Sequence, residues 1–206
     1  MSDDKFFHVG EIGDSAPAPT EFEPAPFRKA KVPEPLQFEV NIVAHAEERQ
    51  KKNGLIQVNI PGFSPVKLYC DEQPPVGDDT APPPLAFFSA GIAFCLLTHL
   101  TDILTARNIK VDSMRIEQRI RFKTNLSTMR TLGHTTEGEC EAIESHVLID
   151  SPESEETIRN LVAEAEGACM AHHAMRNPTP WSTRTVHNGS EIVADTGNGY
   201  AWGESK

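Results

Sequence analysis

The sequence predicts an α+β fold built on antiparallel sheet, and three observations predict it. Short runs of alternating apolar and polar residues fall on both sides of one long apolar helix. A second helix, with an acidic start, follows the later strands. Strands come in groups rather than alternating one by one with helices, as a parallel sheet would demand. At 206 residues the chain is long enough for one well-buried domain with tails. The expected division is an extended or flexible proline-rich arm over 1–35, a folded domain over 36–190, and a loose tail over 191–206.

The elements follow in order. "SAPAPTEFEPAPFRKAKVPEP" has no apolar period, which gives the arm. "LQFEVNIVAHA" alternates Phe38, Val40, Ile42 and Ala44 with polar neighbours and reads as a strand. In "KKNGLIQVNI", Asn53-Gly54 is a hairpin signal between two β-prone runs. "SPVKLYCDE" is a further short strand. After the proline-rich loop "QPPVGDDTAPPP", Pro84 opens the helix "PLAFFSAGIAFCLLTHLTDILTARN", a position where proline is tolerated. Its first half is apolar all round (Leu85, Phe87, Phe88, Ile92, Phe94, Leu96, Leu97), which predicts burial on every side, by a sheet or at a dimer interface.

"KVDSMRIEQRIRFKT" and "TEGECEAIESHVLID" are strands, the second with a bulge near Ile143–Ser145 where its apolar phase slips. In "DSPESEETIRNLVAEAEGACMAHHAMRNP", Ser151 is the expected cap, Pro152 suits the first turn, and Glu153, Glu155 and Glu156 favour the positive end of the helix. Gly167 is the expected break and Pro178 the end. "RTVHNGSEIV" adds a last strand.

Bulk properties exclude several functions. A formal charge of −11 argues against nucleic acid, whose phosphates need a cationic surface. Arg115, Arg119, Arg121 and Lys123 alternate with apolar residues and read as the wet face of a strand. No apolar run is expected to cross a bilayer and no signal pattern opens the chain, so a cytoplasmic protein without a membrane partner is expected. Four scattered cysteines do not make a secreted disulfide scaffold. Gly133-His134 and Gly197-x-Gly199 lack the strand–turn–helix context of a phosphate loop, so no organic cofactor is expected.

The chemistry-bearing stretch is "GACMAHHAMRNP", Gly167 to Pro178, together with Cys95 in "GIAFCLLTHL". Cys95 and His99 share a helix face, and Cys169 stands three and four residues before His172 and His173. Two readings follow. Two neighbouring thiols can run a sulfenic acid–disulfide cycle. Alternatively, Cys95, His99, Cys169 and His172 are candidate ligands for a soft metal, zinc above others, or line a pocket for a small apolar molecule. A restart of the helix at Gly167 would put Cys169 at a helix amino end, where thiolate is favoured. His172, His173 or Arg176 could supply a positive field. Cys70 and Cys140 lie in strand-like runs and read as structural.

In order, "APPPLAFFSAGIAFC", "VDSMRIEQRIRFK" and "VLIDSPESEETIRNLVAEAEGACMAHHAMRNP" resemble the OsmC/Ohr family over about residues 38–190. The resemblance implies an intertwined homodimer with a long buried central helix. It implies that Cys95 and Cys169 meet near the dimer interface. It also implies a thiol-dependent peroxidase acting on organic hydroperoxides in oxidative stress, Cys95 attacking, Cys169 resolving and a dithiol resetting the pair. Peroxidase members use an arginine from the amino-terminal strands beside the attacking thiol, a place for which Arg49 is the candidate. Their orienting glutamate has no counterpart, because Leu85 follows Pro84, so the chain resembles a divergent branch.

Overall fold

The computed structural model describes residues 9–12, 38–124, 138–180 and 185–192. Most of the arm, Gly133-His134 and the tail from residue 193 onward lie outside the described residues. The fold is α+β, as expected. It divides into two compact units, residues 1–91 and 92–206, with one helix running across the boundary.

The first unit is a four-stranded antiparallel sheet in the order β1-β4-β3-β2. Its strands are β1 (Gly10–Ile12), β2 (Val40–Ala46), β3 (Lys52–Val58) and β4 (Val66–Cys70). β1 comes from the proline-rich arm and pairs Gly10 with Leu68 and Ile12 with Val66. The β2–β3 hairpin forms, but its turn is not at Asn53-Gly54. Gly54 lies inside β3, opposite Ala44 on one side and Leu68 on the other. A side chain there would press on Ile42 at 2.9 Å, so glycine serves close strand packing. The turn falls at Glu48–Gln50, where Arg49 and Gln50 take φ of 53° and 63°.

Asp71 organises the loop after β4. Its carboxylate, 1 % exposed, accepts the N–H groups of Glu72 at 2.7 Å and Thr80 at 2.9 Å, the Thr80 hydroxyl at 2.7 Å, and more weakly the N–H of Asp78. Gly77 is obligatory here, because a Cβ would collide with the Glu72 carbonyl and the Asp71 carboxylate.

α1 (Pro84–Arg107) follows. Contrary to the sequence expectation, it has the length and composition of a bilayer crossing. It is nevertheless part of a packed core: Ile92, Leu96 and Leu100, spaced by four, are buried. The expected burial on every side is not reached within one chain. Leu85 is 52 % exposed and Phe94 65 %. The helix ends in the left-handed region at Asn108 (φ 52°), and the Ile109 N–H bonds back to the Leu104 carbonyl at 3.0 Å, closing the last turn.

The second unit pairs two long strands, β5 (Ser113–Thr124) and β6 (Gly138–Asp150). The bulge lies between Arg121 and Phe122, opposite Ala142 and Cys140, so Glu141 is the extra residue. That is earlier than the Ile143–Ser145 phase slip indicated. α2 (Glu155–Ala168) is capped by Ser154, whose oxygen accepts the Thr157 N–H at 3.1 Å. Ser151, the expected cap, instead donates to the Lys110 carbonyl at 2.6 Å and accepts the Glu153 N–H. It ties the approach to α2 to the segment that follows α1. α3 (Met170–Arg176) comes next, then a small hairpin of β7 (Thr185–His187) and β8 (Ser190–Ile192). Asn188 and Gly189 turn it with φ of 52° and 78°, the pattern of a tight two-residue turn.

Candidate functional site

The core of the second unit is where two helical stripes meet. α1 supplies Leu96 and Leu100, and α2 supplies Leu161 and Ala165; Cys169 completes the fully buried cluster. Leu161, Ala165 and Cys169 are spaced by four, so the thiol extends the buried stripe of α2 past its end. The chain breaks helix at Cys169 itself (φ −75°, ψ 110°), two residues beyond the expected break at Gly167. Extended backbone at that residue makes it the last position of one helix and the cap position of the next.

Three of the predicted site residues come together there. Cys95, half-buried one position before Leu96, packs against the cluster that holds Cys169, and its thiol acts electrostatically on that of Cys169. His172 places Nδ1 at 3.1 Å from the Cys169 Sγ. All four cysteines are free thiols.

The electrostatics correct one expectation. Burial pushes the Cys169 thiol above its ordinary range, and the adjacent Cys95 pushes it the same way. The backbone N–H groups of Ala171 and His172 pull it down without reversing the result. A helix amino end therefore does not make Cys169 a standing thiolate, because desolvation of the charged sulfur outweighs it. Burial likewise holds the His172 imidazole below its usual range; the Arg176 charge adds to this and Glu166 opposes it. At neutral pH the pair is a thiol beside a neutral imidazole.

His173 and Arg176 are exposed, and Arg176 pairs with Glu166 at 3.1 Å. His99 is half-buried one turn beyond Cys95 on α1. The ligand set Cys95, His99, Cys169 and His172 does not assemble: among the described residues, no group of three or more His, Cys, Asp or Glu is arranged to hold a metal ion. Arg49, in the first unit, is engaged by Asp78 at 2.8 Å and by the Gly77 carbonyl at 3.3 Å, and Lys51 reaches the same carboxylate at 2.7 Å. Its surroundings are thus an acidic loop. Cys70 is half-buried on β4, while Cys140 is exposed beside the bulge.

Sequence reasoning missed Asp71 and Asp78, which organise that loop and hold its cations. The signal was present in "CDEQPPVGDDT", an aspartate ahead of a proline- and glycine-rich turn, the arrangement in which a carboxylate bonds the backbone beyond it.

A family model described as OsmC-like protein matches residues 77–184, just over half of the chain. The chain belongs to the OsmC-like family. Solved structures of similar fold include an OsmC-like hydroperoxide resistance protein from Jannaschia sp. CCS1. It is 20 % identical with a TM-score of 0.50, and the match covers 75 % of this chain and 96 % of that one. An OsmC-like protein from Mycoplasma pneumoniae is 21 % identical with a TM-score of 0.50, over 67 % of this chain and 87 % of that one. Comparison with curated proteins gives no match. Both cysteines of this OsmC-like protein's thiol pair fall inside the matched residues, whereas Arg49 falls outside them.

Proposed function

We propose that the chain is a thiol-dependent peroxidase that reduces organic hydroperoxides, with Cys95 attacking and Cys169 resolving. The observation that carries this reading is the packing of two free thiols of unequal exposure at one core cluster. Cys169 is fully buried and cannot meet a bulky hydroperoxide, while Cys95 is half-buried beside it. Family membership supports a role in hydroperoxide resistance, the property named for the Jannaschia protein.

In the first step the Cys95 thiolate attacks the distal peroxide oxygen. The O–O bond breaks, the alcohol leaves with a proton, and Cys95 becomes a sulfenic acid. In the second step the Cys169 sulfur attacks Cys95, the S–O bond breaks, and water leaves as the disulfide forms. An external dithiol then returns both sulfurs to thiols by exchange, in a reducing compartment such as the cytoplasm.

The working form in this reading is a homodimer. Val40 and Ile42 are 57 % and 58 % exposed on β2, on the face that Val58 and Ile56 extend across the register. Val40, Ile42 and Leu85 in the first unit, and Phe94 in the second, each leave apolar surface of the kind a second copy would cover.

Incubating reduced protein with cumene hydroperoxide and titrating free thiols tests the reading. The expected result is loss of two thiols per chain, abolished by Cys95→Ser. Unchanged thiols together with stoichiometric zinc in the purified protein would overturn it in favour of a metal-binding role.

A further inference from the structure

We propose that His172 is the base that removes the Cys169 proton as the disulfide forms, a role that rests on reading Cys95 and Cys169 as a redox pair. The geometry points to it. A buried thiol cannot attack a sulfenic acid while it keeps its proton, and bulk water does not reach a sulfur with no exposed surface. The nitrogen lone pair within reach is His172 Nδ1, 3.1 Å away. His172 is itself only 8 % exposed, so the two partners form a dry acid–base pair rather than a surface contact.

The groups facing this pair are few. α1 contributes Cys95, α2 contributes Glu166, and α3 contributes Arg176. β5 and β6 surround the cluster with Met114, Ile116, Val147 and Ile149, which neither donate nor accept protons. Glu166 and Arg176 are paired with each other, so neither competes as the base. Burial keeps the imidazole neutral and the thiol protonated, the protonation states from which transfer begins.

The step balances within the site. The Cys169 proton moves to Nδ1 of an imidazole protonated on Nε2. The sulfur forms the S–S bond to Cys95 as the S–O bond breaks, and the imidazolium returns its proton to the departing hydroxide, giving water. No further oxidant or reductant is consumed. His172 thereby makes a high-pKa thiol competent only where its electrophile is held, which spares the buried thiol from indiscriminate oxidation.

The test uses the full chain in a Cys70→Ser, Cys140→Ser background and needs no peroxide. Dithiodipyridine labels the more accessible Cys95, releasing one thiopyridone. Attack by Cys169 on the mixed disulfide then releases the second, with the same proton to lose. In the unaltered His172 protein the second phase is expected to rise with the imidazole titration, below its ordinary 6.5, and to be flat at neutral pH. His172→Asn should slow it about 100-fold at neutral pH. In that variant the rate should climb about tenfold per pH unit towards the thiol range, ordinarily 9.0. An unchanged first phase establishes that the variant is folded, and His172→Gln repeats the comparison with a longer side chain.

Equal second phases in variant and parent, or a parent profile that itself climbs into the thiol range, would overturn the role of His172. So would failure of the parent to close the disulfide at all. If the second phase behaves as expected but cumene hydroperoxide oxidises nothing, the base assignment stands and the peroxidase reading falls.

Discussion

Replacing Leu161 by alanine truncates a fully buried member of the cluster that holds Cys169. Leu161 is 1 % exposed and lies in one cluster with Leu96, Leu100, Ala165 and Cys169. The truncation withdraws roughly three methylene equivalents from the core, about 2.4 kcal/mol at ~0.8 kcal/mol each. It also leaves a cavity that α1 and α2 cannot fully close, because the methyl group of Ala165 one turn on is too short to reach into it. A total cost of about 3–4 kcal/mol follows. For a chain of this size, with a urea slope of ~2 kcal/mol/M, the midpoint should fall by about 1.5–2 M. The assay is urea unfolding followed by circular dichroism at one fixed protein concentration, since any association would move the midpoint by mass action. Leu161→Met, which keeps volume, should move it by less than ~0.75 M, the ~1.5 kcal/mol ceiling for such swaps divided by the same slope. A shift below ~0.5 M for the alanine variant, about 1 kcal/mol at that slope, would show that the α1–α2 stripe is not the core of its unit.

Three further outcomes are expected. Gly77→Ala should disrupt the Asp71 loop and lower the melting temperature measured by calorimetry, because the new Cβ meets backbone and carboxylate that cannot both move aside. Asp71 has its pKa lowered to about 2 by the Thr80, Glu72 and Asp78 donors, which outweigh the cost of burial. Its contribution to stability is therefore fully present above 3.8, the ordinary carboxylate value, and is lost as pH falls towards 2; Asp71→Asn should flatten that part of an acid unfolding profile. If the proposed homodimer holds, the unaltered chain should sediment as a dimer and Phe94→Asp, on the exposed side of α1, as a monomer.

The strand and helix series was legible because it rests on periods of two and 3.6 that burial enforces locally. β2, β4, β5, β6 and the two helices fall where their apolar patterns put them. What was misread depends on contacts distant in sequence. Asn53-Gly54 has the composition of a turn, yet Gly54 lies in mid-strand, paired with Ala44 and Leu68, where Ile42 leaves no room for a side chain. Ser151 has the composition of a cap, yet its hydroxyl is taken by the Lys110 carbonyl, some forty residues earlier, and capping passes to Ser154. The bilayer-like composition of α1 was missed for a different reason. Its few charges and its threonines, whose hydroxyls bond the carbonyls of Phe94, Leu97 and Thr101, break the apolar run without making the helix polar.

At the site, the sequence showed which residues could converge but not which state they would be in. Helical spacing put Cys169 near both His172 and His173; the structure brings His172 to the sulfur and leaves His173 exposed. The sign of the Cys169 shift could not be read from a helix-end rule, because two opposed effects act on the same sulfur and only packing decides between them. The cluster of Leu96, Leu100, Leu161 and Ala165 withdraws water from the thiol, and that loss exceeds what the Ala171 and His172 N–H groups return. The same leucines that stabilise the fold therefore keep this thiol protonated. Leu161→Ala should then do more than destabilise. By admitting water beside Cys169 it should lower the thiol pKa, so that a direct titration of Cys169 by ultraviolet absorbance in a variant lacking the other cysteines shifts towards 9.0, the ordinary thiol value. A titration unmoved by the cavity would mean that burial does not set the state of the sulfur.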